Sequence, residues 1–261
     1  PSLGRCRGAL LVRRHVSRLA LMSVLARSFL IQASWNYHNM IGNGFAFAML
    51  PALRELFGRD PKELDASVRR HLDHFNAHPY LSGLALGATV RLEGDGVDPE
   101  TVRRFKTAVR GPLGGLGDSL VWATWLPTVS MLALVGWWFG MPVWATVAGF
   151  MMVYNAGHLG LRFWGFHSGL HEGQGVAQAL RRANLSLVGA RLQSLTSLIL
   201  GVLVGAVLSD KGGLADSGAL WGVLGAVAFV VGLKIGHRVW RPAAIAVVTT
   251  VVLLSTWGVI R

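Results

Sequence analysis

Residues 119–160 read SLVWATWLPTVSMLALVGWWFGMPVWATVAGFMMVYNAGHLG and contain no Lys, Arg, Asp or Glu. An α-helix needs roughly 20 apolar residues to cross the hydrocarbon core of a bilayer. This stretch is therefore long enough for two crossings, and the turn-forming sequence GWWFGMP at 136–142 offers a break between them. We predict two membrane helices that are joined near Gly140.

The rest of the chain has a similarly apolar composition. Apolar residues make up 52% and charged residues 15% of the chain, and the mean hydropathy is +0.46. Soluble domains carry about 25% charged residues. Further uncharged runs lie at 192–209, 217–233 and 242–260. Because buried helices of a soluble protein seldom give so many such runs, we predict an all-α, polytopic membrane protein with about five transmembrane helices.

The basic residues predict the orientation of these helices. The formal net charge is +12, and Lys and Arg concentrate near the N-terminus, in 54–110, in 162–191 and in 234–241. The connections near Gly140 and at 210–216 contain only Lys211. Basic loops stay in the cytoplasm, so we expect a cytoplasmic N-terminus and an external or periplasmic C-terminus. Since the charges alternate with membrane runs, they do not indicate nucleic-acid binding.

Residues 28–53 contain no charged side chain, although basic residues flank them on both sides. They are nevertheless rich in polar side chains. Lipid does not tolerate such side chains on an exposed helix, whereas protein-enclosed irregular backbone is tolerated at membrane depth. We therefore predict an N-terminal re-entrant hairpin that starts and ends in the cytoplasm and turns near 42–44. Residues 74–90 are a weaker candidate for a second, shallow hairpin.

The segment between the hairpin and the first membrane run is predicted to be helical and cytoplasmic. Asp60-Pro61 and Asp98-Pro99 each combine an N-cap residue with a proline at the first helical position. In the first of these helices, Leu64 and Val68 share one face and Arg70 is expected on the opposite face. The chain is therefore predicted to have three segments. Residues 1–27 form a basic amphipathic segment, which suits an anionic membrane surface. Residues 28–118 form the hairpins and cytoplasmic helices, and residues 119–261 form the transmembrane helices.

Other sequence features predict little additional chemistry. Residues 1–8 lack the apolar core of a secretory signal, so we expect no processed leader. The single cysteine, Cys6, cannot form an intrachain disulfide. His167 and His171 have a metal-compatible helical spacing, but no third ligand is evident. We expect no metal, no cofactor and no catalytic residue.

Three stretches of the chain form long sequence motifs. The first is RSFLIQASWNY at 27–37 with GFAFAMLPAL at 44–53. The second is RHLDHFNAHPYL at 70–81, followed by LGAT at 86–89, and the third is GPLGGLGDSLVWAT at 111–124. In sequence, order and spacing these stretches resemble the IID component of the mannose/fructose/sorbose family of the bacterial sugar phosphotransferase system.

The resemblance implies a bacterial inner-membrane subunit that pairs obligately with a IIC subunit. Such a pair translocates a hexose or hexose-like sugar across the lipid bilayer, while soluble IIA and IIB subunits relay phosphate to it. In the family the phosphorylated histidines lie on the soluble subunits, so none of this chain's histidines is expected to carry phosphate. The subunit is not expected to be catalytic alone.

The sequence departs from the family pattern in the first motif. Many members continue with Glu-Arg-Met-Gln where this chain has HNMI at 38–41, and residues 210–217 look shorter than usual. A non-transporting scaffold or receptor subunit derived from the family is therefore the alternative to a sugar permease subunit.

The polar part of the first hairpin supplies the candidate substrate contacts. Amide side chains both donate and accept hydrogen bonds, as sugar hydroxyls require, and aromatic rings offer apolar faces. The candidates to line the translocation path are Gln32, Trp35, Asn36, His38 and Asn39. The alternative, left open by the sequence, is that these side chains hold irregular backbone or the IIC partner.

The second and third motifs are predicted to be structural. They contribute Asn76, His78, Pro79, Gly111, Pro112, Gly117 and Asp118. We expect Asp118 to cap a helix that begins at Ser119, with the glycines allowing close packing. An anion-binding turn and the GxGD pattern of intramembrane aspartyl proteases are alternatives for this motif. The protease needs a second nearby carboxylate, and the predicted membrane helices contain none.

Overall fold

The computed structural model describes residues 15–210, and these residues are helical and without a β-strand. The helices are α1 (Arg18–Ser28), α2 (Gly42–Phe57), α3 (Pro61–His71), α4 (Ser82–Gly94), α5 (Pro99–Gly117), α6 (Leu126–Trp138), α7 (Val143–Glu172), α8 (Val176–Ala183) and α9 (Leu185–Asp210). A π-helical segment (Asp118–Trp125) joins α5 to α6, and a short 3₁₀ turn (Gly173–Gly175) precedes α8. The predicted membrane runs at 217–233 and 242–260 lie outside the described residues.

The chain divides into two compact units. The first comprises the described residues up to Leu126 together with Ala148–Gly189, and the second comprises Pro127–Val147 and the residues from Ala190 onward. The main hydrophobic core belongs to the first unit and includes Phe45, Met49 and Phe75. In the second unit, the hydroxyl groups of Thr128 and Thr196 lie 2.7 Å apart and tie α6 to α9.

The helix starts predicted from local sequence are confirmed. The Asp60 carboxylate accepts hydrogen bonds from the backbone N–H groups of Lys62 and Glu63, and α3 begins at Pro61. Asp98 does the same for Glu100 and Thr101 at the start of α5. These caps act within one turn and therefore do not depend on the tertiary fold.

The extent of the long helices differs from the prediction. One continuous helix, Pro99–Trp138, is long and apolar enough to cross a membrane, and it is the one such helix in the described part of the chain. The expected helix start at Ser119 is wrong, because Asp118 and its neighbours continue the helix through the π segment. The predicted break near Gly140 is confirmed, since α6 ends at Trp138 and α7 begins at Val143. Helix α7 then runs on to Glu172, so Arg162 lies within it rather than in a connection.

The first polar segment is a helical hairpin whose turn is displaced from the predicted position. Helices α1 and α2 run antiparallel: the Ser17 hydroxyl donates to Glu55 at 2.6 Å, and Gly44 packs on Ile31. The chain reverses between Ser34 and Met40, and Gly42 already opens α2. The prediction of a turn near 42–44 is wrong because Gly44 serves close helix packing: a Cβ there would lie 1.9 Å from the Ile31 carbonyl oxygen.

Helix α4 is buried on every side except at Arg91, and it crosses α7 through paired glycines. Gly83 and Gly87 on α4 meet Gly165 and Gly169 on α7. A Cβ on Gly87 would lie 2.2 Å from the Phe166 carbonyl oxygen, and one on Gly169 would lie 2.2 Å from that of Leu84. This small-xxx-small packing brings two backbones together, as in membrane helix pairs.

Candidate functional site

The polar turn of the α1–α2 hairpin is organised by Asn36. Its side-chain oxygen accepts hydrogen bonds from the backbone N–H groups of His38 (2.9 Å) and Asn39 (3.1 Å). Its amide nitrogen donates to the Asn39 side-chain oxygen at 2.8 Å. The backbone of Met40, at φ +56°, closes the turn by donating to the Asn36 carbonyl. Asn36 therefore shapes the loop, as asparagine does in Asx turns.

Asn39 joins this turn to the segment after α3. It is buried, and its amide nitrogen donates to the Asn43 side chain at 2.7 Å and to the Leu72 carbonyl at 3.0 Å. The backbone of Phe75 bonds to both Asn39 and Ile41. These bonds hold the first and second motifs side by side. The hydrogen bonds of Asn36 and Asn39 therefore hold the irregular backbone of the turn. The His38 side chain is exposed.

The three motifs meet at a cavity of about 300 Å³, which we call the cleft. Its lining residues are Gln32, Trp35, Ile41, Asn76, Ala77, His78, Pro79, Gly111, Gly114, Gly115, Asp118 and Trp122. Of the predicted path-lining residues, Gln32 and Trp35 lie here, whereas Asn36, His38 and Asn39 do not. Asp118, which was expected to cap a helix, lies instead on the cleft wall with Trp122, a residue that the sequence did not single out.

Glycines and the π segment shape the α5 side of the cleft. Gly111 and Gly115 face open space, so this wall has no side chain at those positions. Gly117 packs against His78, since a Cβ at Gly117 would lie 2.2 Å from the His78 Cβ. The π segment begins at Asp118 and holds Asp118 and Trp122 on the cleft. Such π turns occur frequently at functional sites. Pro112 lies in α5 but does not line the cleft.

His78 is one of the buried residues that line the cleft. Its side chain is only 2% exposed, and its Nδ1 accepts a hydrogen bond from the Tyr80 backbone N–H at 3.2 Å. The neutral ring therefore carries its proton on Nε2, which has no hydrogen-bond partner in the described part of the chain. The rings of Tyr80 and Trp122 pack edge-on against the imidazole.

A buried charged cluster connects α3, α4 and α5. The Arg70 guanidinium donates two hydrogen bonds to the Glu93 carboxylate, at 2.8 and 2.6 Å, and His71 Nε2 lies 2.9 Å from the same carboxylate. Lys106 donates to the carbonyls of Arg70 and His71 at the end of α3. The prediction that Arg70 lies on the polar face of this helix, opposite Leu64 and Val68, is wrong, because Arg70 is buried and pairs with the Glu93 carboxylate of α4.

The protonation states in this cluster follow from burial. Loss of solvent lowers the pKa of His71 to about 4, although the hydrogen bond to Glu93 opposes this change. Burial alone raises the pKa of Glu93, but the hydrogen bonds from Arg70 and His71 outweigh it and lower the pKa to about 2. Neutral His71 thus donates from Nε2 to an ionised Glu93, and its Nδ1 has no hydrogen-bond partner among residues 15–210.

We expect acidification to destabilise the protein through His71. The unfolded chain takes up a proton near the ordinary histidine pKa of 6.5, whereas the folded chain does so only near 4. The free energy of unfolding therefore falls as the pH drops between these values, by up to about 1.4 kcal/mol per pH unit. The loss contributed by Glu93 follows at lower pH, between 4.5 and about 2. The measurement is the thermal midpoint of the detergent-solubilised protein between pH 7 and pH 4.

The His71→Gln variant keeps a donor for Glu93 and should show a shallower pH dependence. His38→Gln, which changes an exposed histidine, should keep the wild-type slope. If the thermal midpoint of His71→Gln depended on pH as strongly as that of the wild type, His71 would not be the source of the destabilisation by acid.

Arg162 joins α7 to the end of α1 within the first unit. It is 3% exposed, and its guanidinium donates to the Ser28 carbonyl and to His158 Nε2, both at 2.7 Å. Ser28 ends α1, where the carbonyl groups carry partial negative charge that favours a cation. The guanidinium also lies 4.7 Å from the centre of the Phe29 ring. No local sequence pattern indicates the contact with Ser28, because the two residues are 134 positions apart.

Proteins of known type are similar to this chain in sequence. The family model described as "PTS system mannose/fructose/sorbose family IID component" matches residues 15–215. The mannose-specific EIID component of Escherichia coli K12 is 31% identical over 208 residues, which cover 76% of this chain and 69% of that protein. The fructose permease IID component of Bacillus subtilis is 28% identical over 76% of this chain and 71% of its own length. The sorbose-specific EIID component of Klebsiella pneumoniae is 30% identical, with coverage of 76% and 72%.

Solved structures share the fold. A chain in the cryo-EM structure of the mannose transporter ManYZ with microcin E492 superposes with a TM-score of 0.58 at 23% identity, covering 94% of this chain and 97% of that one. A second structure, described as a membrane protein, gives a TM-score of 0.65 at 23% identity, with coverage of 94% and 98%. On the extent of the family match and the identity to the E. coli protein, this chain belongs to the IID components of the mannose/fructose/sorbose phosphotransferase family.

Proposed function

We propose that this chain forms, with a IIC-type subunit, the translocation unit for a mannose-, fructose- or sorbose-type sugar that is phosphorylated during uptake. The observation that carries this proposal is the family match over residues 15–215. The meeting of all three family-like motifs at one cleft supports it. The chain itself is a non-catalytic membrane subunit, and soluble IIA and IIB subunits supply the phosphate.

Uptake and phosphorylation of labelled mannose, fructose and sorbose test this function. Vesicles would contain this chain with its IIC subunit, with and without phosphorylated soluble components. We expect accumulation of sugar phosphate that requires both this chain and the phosphate relay. A stable complex that takes up no sugar would favour the scaffold alternative, with HNMI at 38–41 as the first segment to exchange.

The proposed membrane arrangement has about five crossings, a re-entrant α1–α2 hairpin and a cytoplasmic N-terminus. The length and hydropathy of Pro99–Trp138 support a crossing there. Large apolar side chains exposed on α7, such as Trp144 and Met152, suit contact with lipid. Inner-membrane location and the external C-terminus follow from the same arrangement.

Cysteine labelling checks this orientation. In a Cys6→Ser background, Phe139→Cys should react with a membrane-impermeant maleimide added to intact cells, because the α6–α7 connection is external in the proposed arrangement. Gln174→Cys should react only after permeabilisation, because the α7–α8 connection is cytoplasmic. Both residues are exposed, so accessibility in the folded protein does not differ between them. The reverse labelling pattern would overturn the orientation.

Within this arrangement Gln32 and Trp35 line the path, while Asn36 and Asn39 hold its loop. We expect Asn36→Ala to reduce uptake severalfold while membrane abundance is retained, because the loop loses the acceptor for two backbone N–H groups. Asn36→Asp keeps that acceptor and should retain more uptake. Uptake rates normalised to immunoblot abundance provide the measurement, and wild-type uptake by Asn36→Ala would exclude a necessary role.

The protease alternative finds no support in the cleft. Asp118 is the one carboxylate among the residues that line it. Aspartyl protease chemistry requires two carboxylates that share a proton.

A further inference from the structure

Residues 29–35, which carry Gln32 and Trp35, have few tertiary contacts of their own. All of them are exposed except Ile31, which belongs to the hydrophobic core. Their hydrogen bonds within the described part of the chain stay within one turn of the chain. On the α2 side of the turn, by contrast, Asn39 is bonded to the segment after α3. The position of the α1 side therefore depends on how the end of α1 is held.

Arg162 of α7 binds the last residue of α1, Ser28. Its guanidinium donates to the Ser28 carbonyl at 2.7 Å and to the Ser28 hydroxyl at 3.3 Å, while its Nε donates to His158 at 2.7 Å. None of these three acceptors is a carboxylate. Burying a cation is costly when no carboxylate accepts its hydrogen bonds. Ionisable residues that are kept inside membrane proteins despite such a cost are typically functional.

The same guanidinium packs on a ring from each of two motifs. Its central carbon lies 4.7 Å from the centre of the Phe29 ring and 5.5 Å from that of Tyr80. The Tyr80 ring stacks on His158 at 3.9 Å, and the Tyr80 backbone N–H donates to His78, which lines the cleft. Arg162 therefore contacts the first and second motifs at once, although it does not line the cleft itself.

The backbone at Arg162 is held by the crossing of α4 and α7. A Cβ on Gly83 of α4 would lie 2.9 Å from the Arg162 carbonyl oxygen, and one on Gly165 would lie 3.1 Å from the Leu84 backbone nitrogen. The two helices are thus in close contact on both sides of this position. The guanidinium extends from a fixed backbone to the end of α1.

We propose that Arg162 is a positioning residue for sugar uptake, which holds the end of α1 so that Gln32 and Trp35 keep one position beside the second motif. This inference rests on the proposed function and assigns a role to a residue outside the cleft. Lysine would supply the charge and a hydrogen bond, but it lacks the planar group that donates in several directions and packs on rings. When a competent conformation is populated only in part, the apparent affinity falls by that fraction.

The first measurement is the distance between two spin labels on the complex of this chain with its IIC subunit, in a Cys6→Ser background. The labels are attached at Ala33→Cys in the turn and at Gln178→Cys on α8, which are both exposed and belong to the first unit. We expect a narrow distance distribution when Arg162 is present and a broad one in Arg162→Gln, with Arg162→Lys between them. Arg69→Gln changes an exposed arginine of α3 and should leave the distribution narrow.

Uptake kinetics distinguish positioning from a loss of folded protein. Fewer folded complexes lower the maximal rate and leave KM unchanged, whereas a partly populated position raises KM. At equal membrane abundance and IIC co-purification, Arg162→Gln should raise the KM of the transported sugar roughly fivefold, as a drop of the competent fraction to about one fifth requires. Arg162→Lys should restore part of the affinity, and Arg69→Gln should keep the wild-type KM. Phe29→Leu removes one ring at an exposed position and should raise KM less than Arg162→Gln.

Phe29→Leu and Arg162→Lys decide the question if Arg162→Gln does not accumulate in the membrane. Narrow distance distributions and a wild-type KM in these variants would overturn the positioning role. A maximal rate that falls only in proportion to abundance, at constant KM, would overturn it too, because Arg162 would then contribute stability alone. Absence of uptake by the wild-type complex would instead overturn the proposed function, and the distance measurement does not depend on uptake.

Discussion

Gly169→Val is expected to remove nearly all folded protein from the membrane. At this position a Cβ would lie 2.2 Å from the Leu84 carbonyl oxygen and 2.7 Å from the Ala88 backbone nitrogen. Both obstacles are backbone atoms of α4, so no change of rotamer relieves them, and α4 and α7 must separate. The cost should exceed the about 1–3 kcal/mol that is typical of an overpacked side chain. The measurement is membrane abundance together with the thermal midpoint in detergent.

Gly160→Val is the matched control for this prediction. Gly160 lies on the same helix, but no atom within 4 Å would meet its Cβ. The Gly160→Val substitution introduces the same side chain, with the same helix propensity, but no clash. We therefore expect its membrane abundance to be close to that of the wild type. Equal losses in the two variants would show that valine in α7, rather than the α4–α7 crossing, causes the defect.

Glu93→Ala is expected to produce the second large loss of stability. The substitution leaves the Arg70 guanidinium, now 8% exposed, without its carboxylate partner in the core. Removing one partner of a buried ion pair costs about 3–5 kcal/mol. That is a large part of the about 5–15 kcal/mol by which proteins are stable. Chemical or thermal unfolding of the solubilised protein measures the loss.

Two further variants test whether the loss of stability in Glu93→Ala comes from the unpaired buried charge or from the removal of any carboxylate. Glu100→Ala removes an acid from exposed pairs with Arg103 and Arg104 and should cost less than about 1 kcal/mol. Combining Glu93→Leu with Arg70→Met removes both charges and should recover much of the stability lost in Glu93→Ala. If the double variant is as unstable as Glu93→Ala, the unpaired charge is not the cause.

Local sequence predicted the helix starts at Pro61 and Pro99, the break near Gly140 and the membrane character, but not the continuity of the helix through Ser119. Asp60 and Asp98 act on backbone N–H groups two and three residues away, so their effect is visible in the sequence itself. The membrane runs are likewise visible in the sequence, because the apolar composition of a run does not depend on what the run packs against. The family resemblance at 27–53, 70–89 and 111–124 is confirmed by the comparisons.

The candidate site could be predicted only in part. The sequence identified Gln32, Trp35, His78 and Asp118 as separate members of three motifs, but it placed the first two in a path and the last at a helix cap. It did not predict that they share one cleft with Trp122. Asn36 and Asn39 have the same side-chain chemistry as a sugar contact, and only their hydrogen bonds distinguish the role of holding the loop.

The sequence by itself determined what short-range chemistry controls: apolar runs, caps, breaks and family motifs. Tertiary structure decided the inward position of Arg70, the pairing of Gly87 and Gly169 with opposing backbones, and the place of Asp118 on a cleft wall. The first two depend on partners far along the chain: Glu93 lies 23 positions from Arg70, and Leu84, whose carbonyl faces Gly169, lies 85 positions from it. A charge or a glycine has the same local pattern whether or not such a partner meets it. The physical reason is that burial and close contact belong to pairs of segments, and a single segment does not encode which other segment covers it.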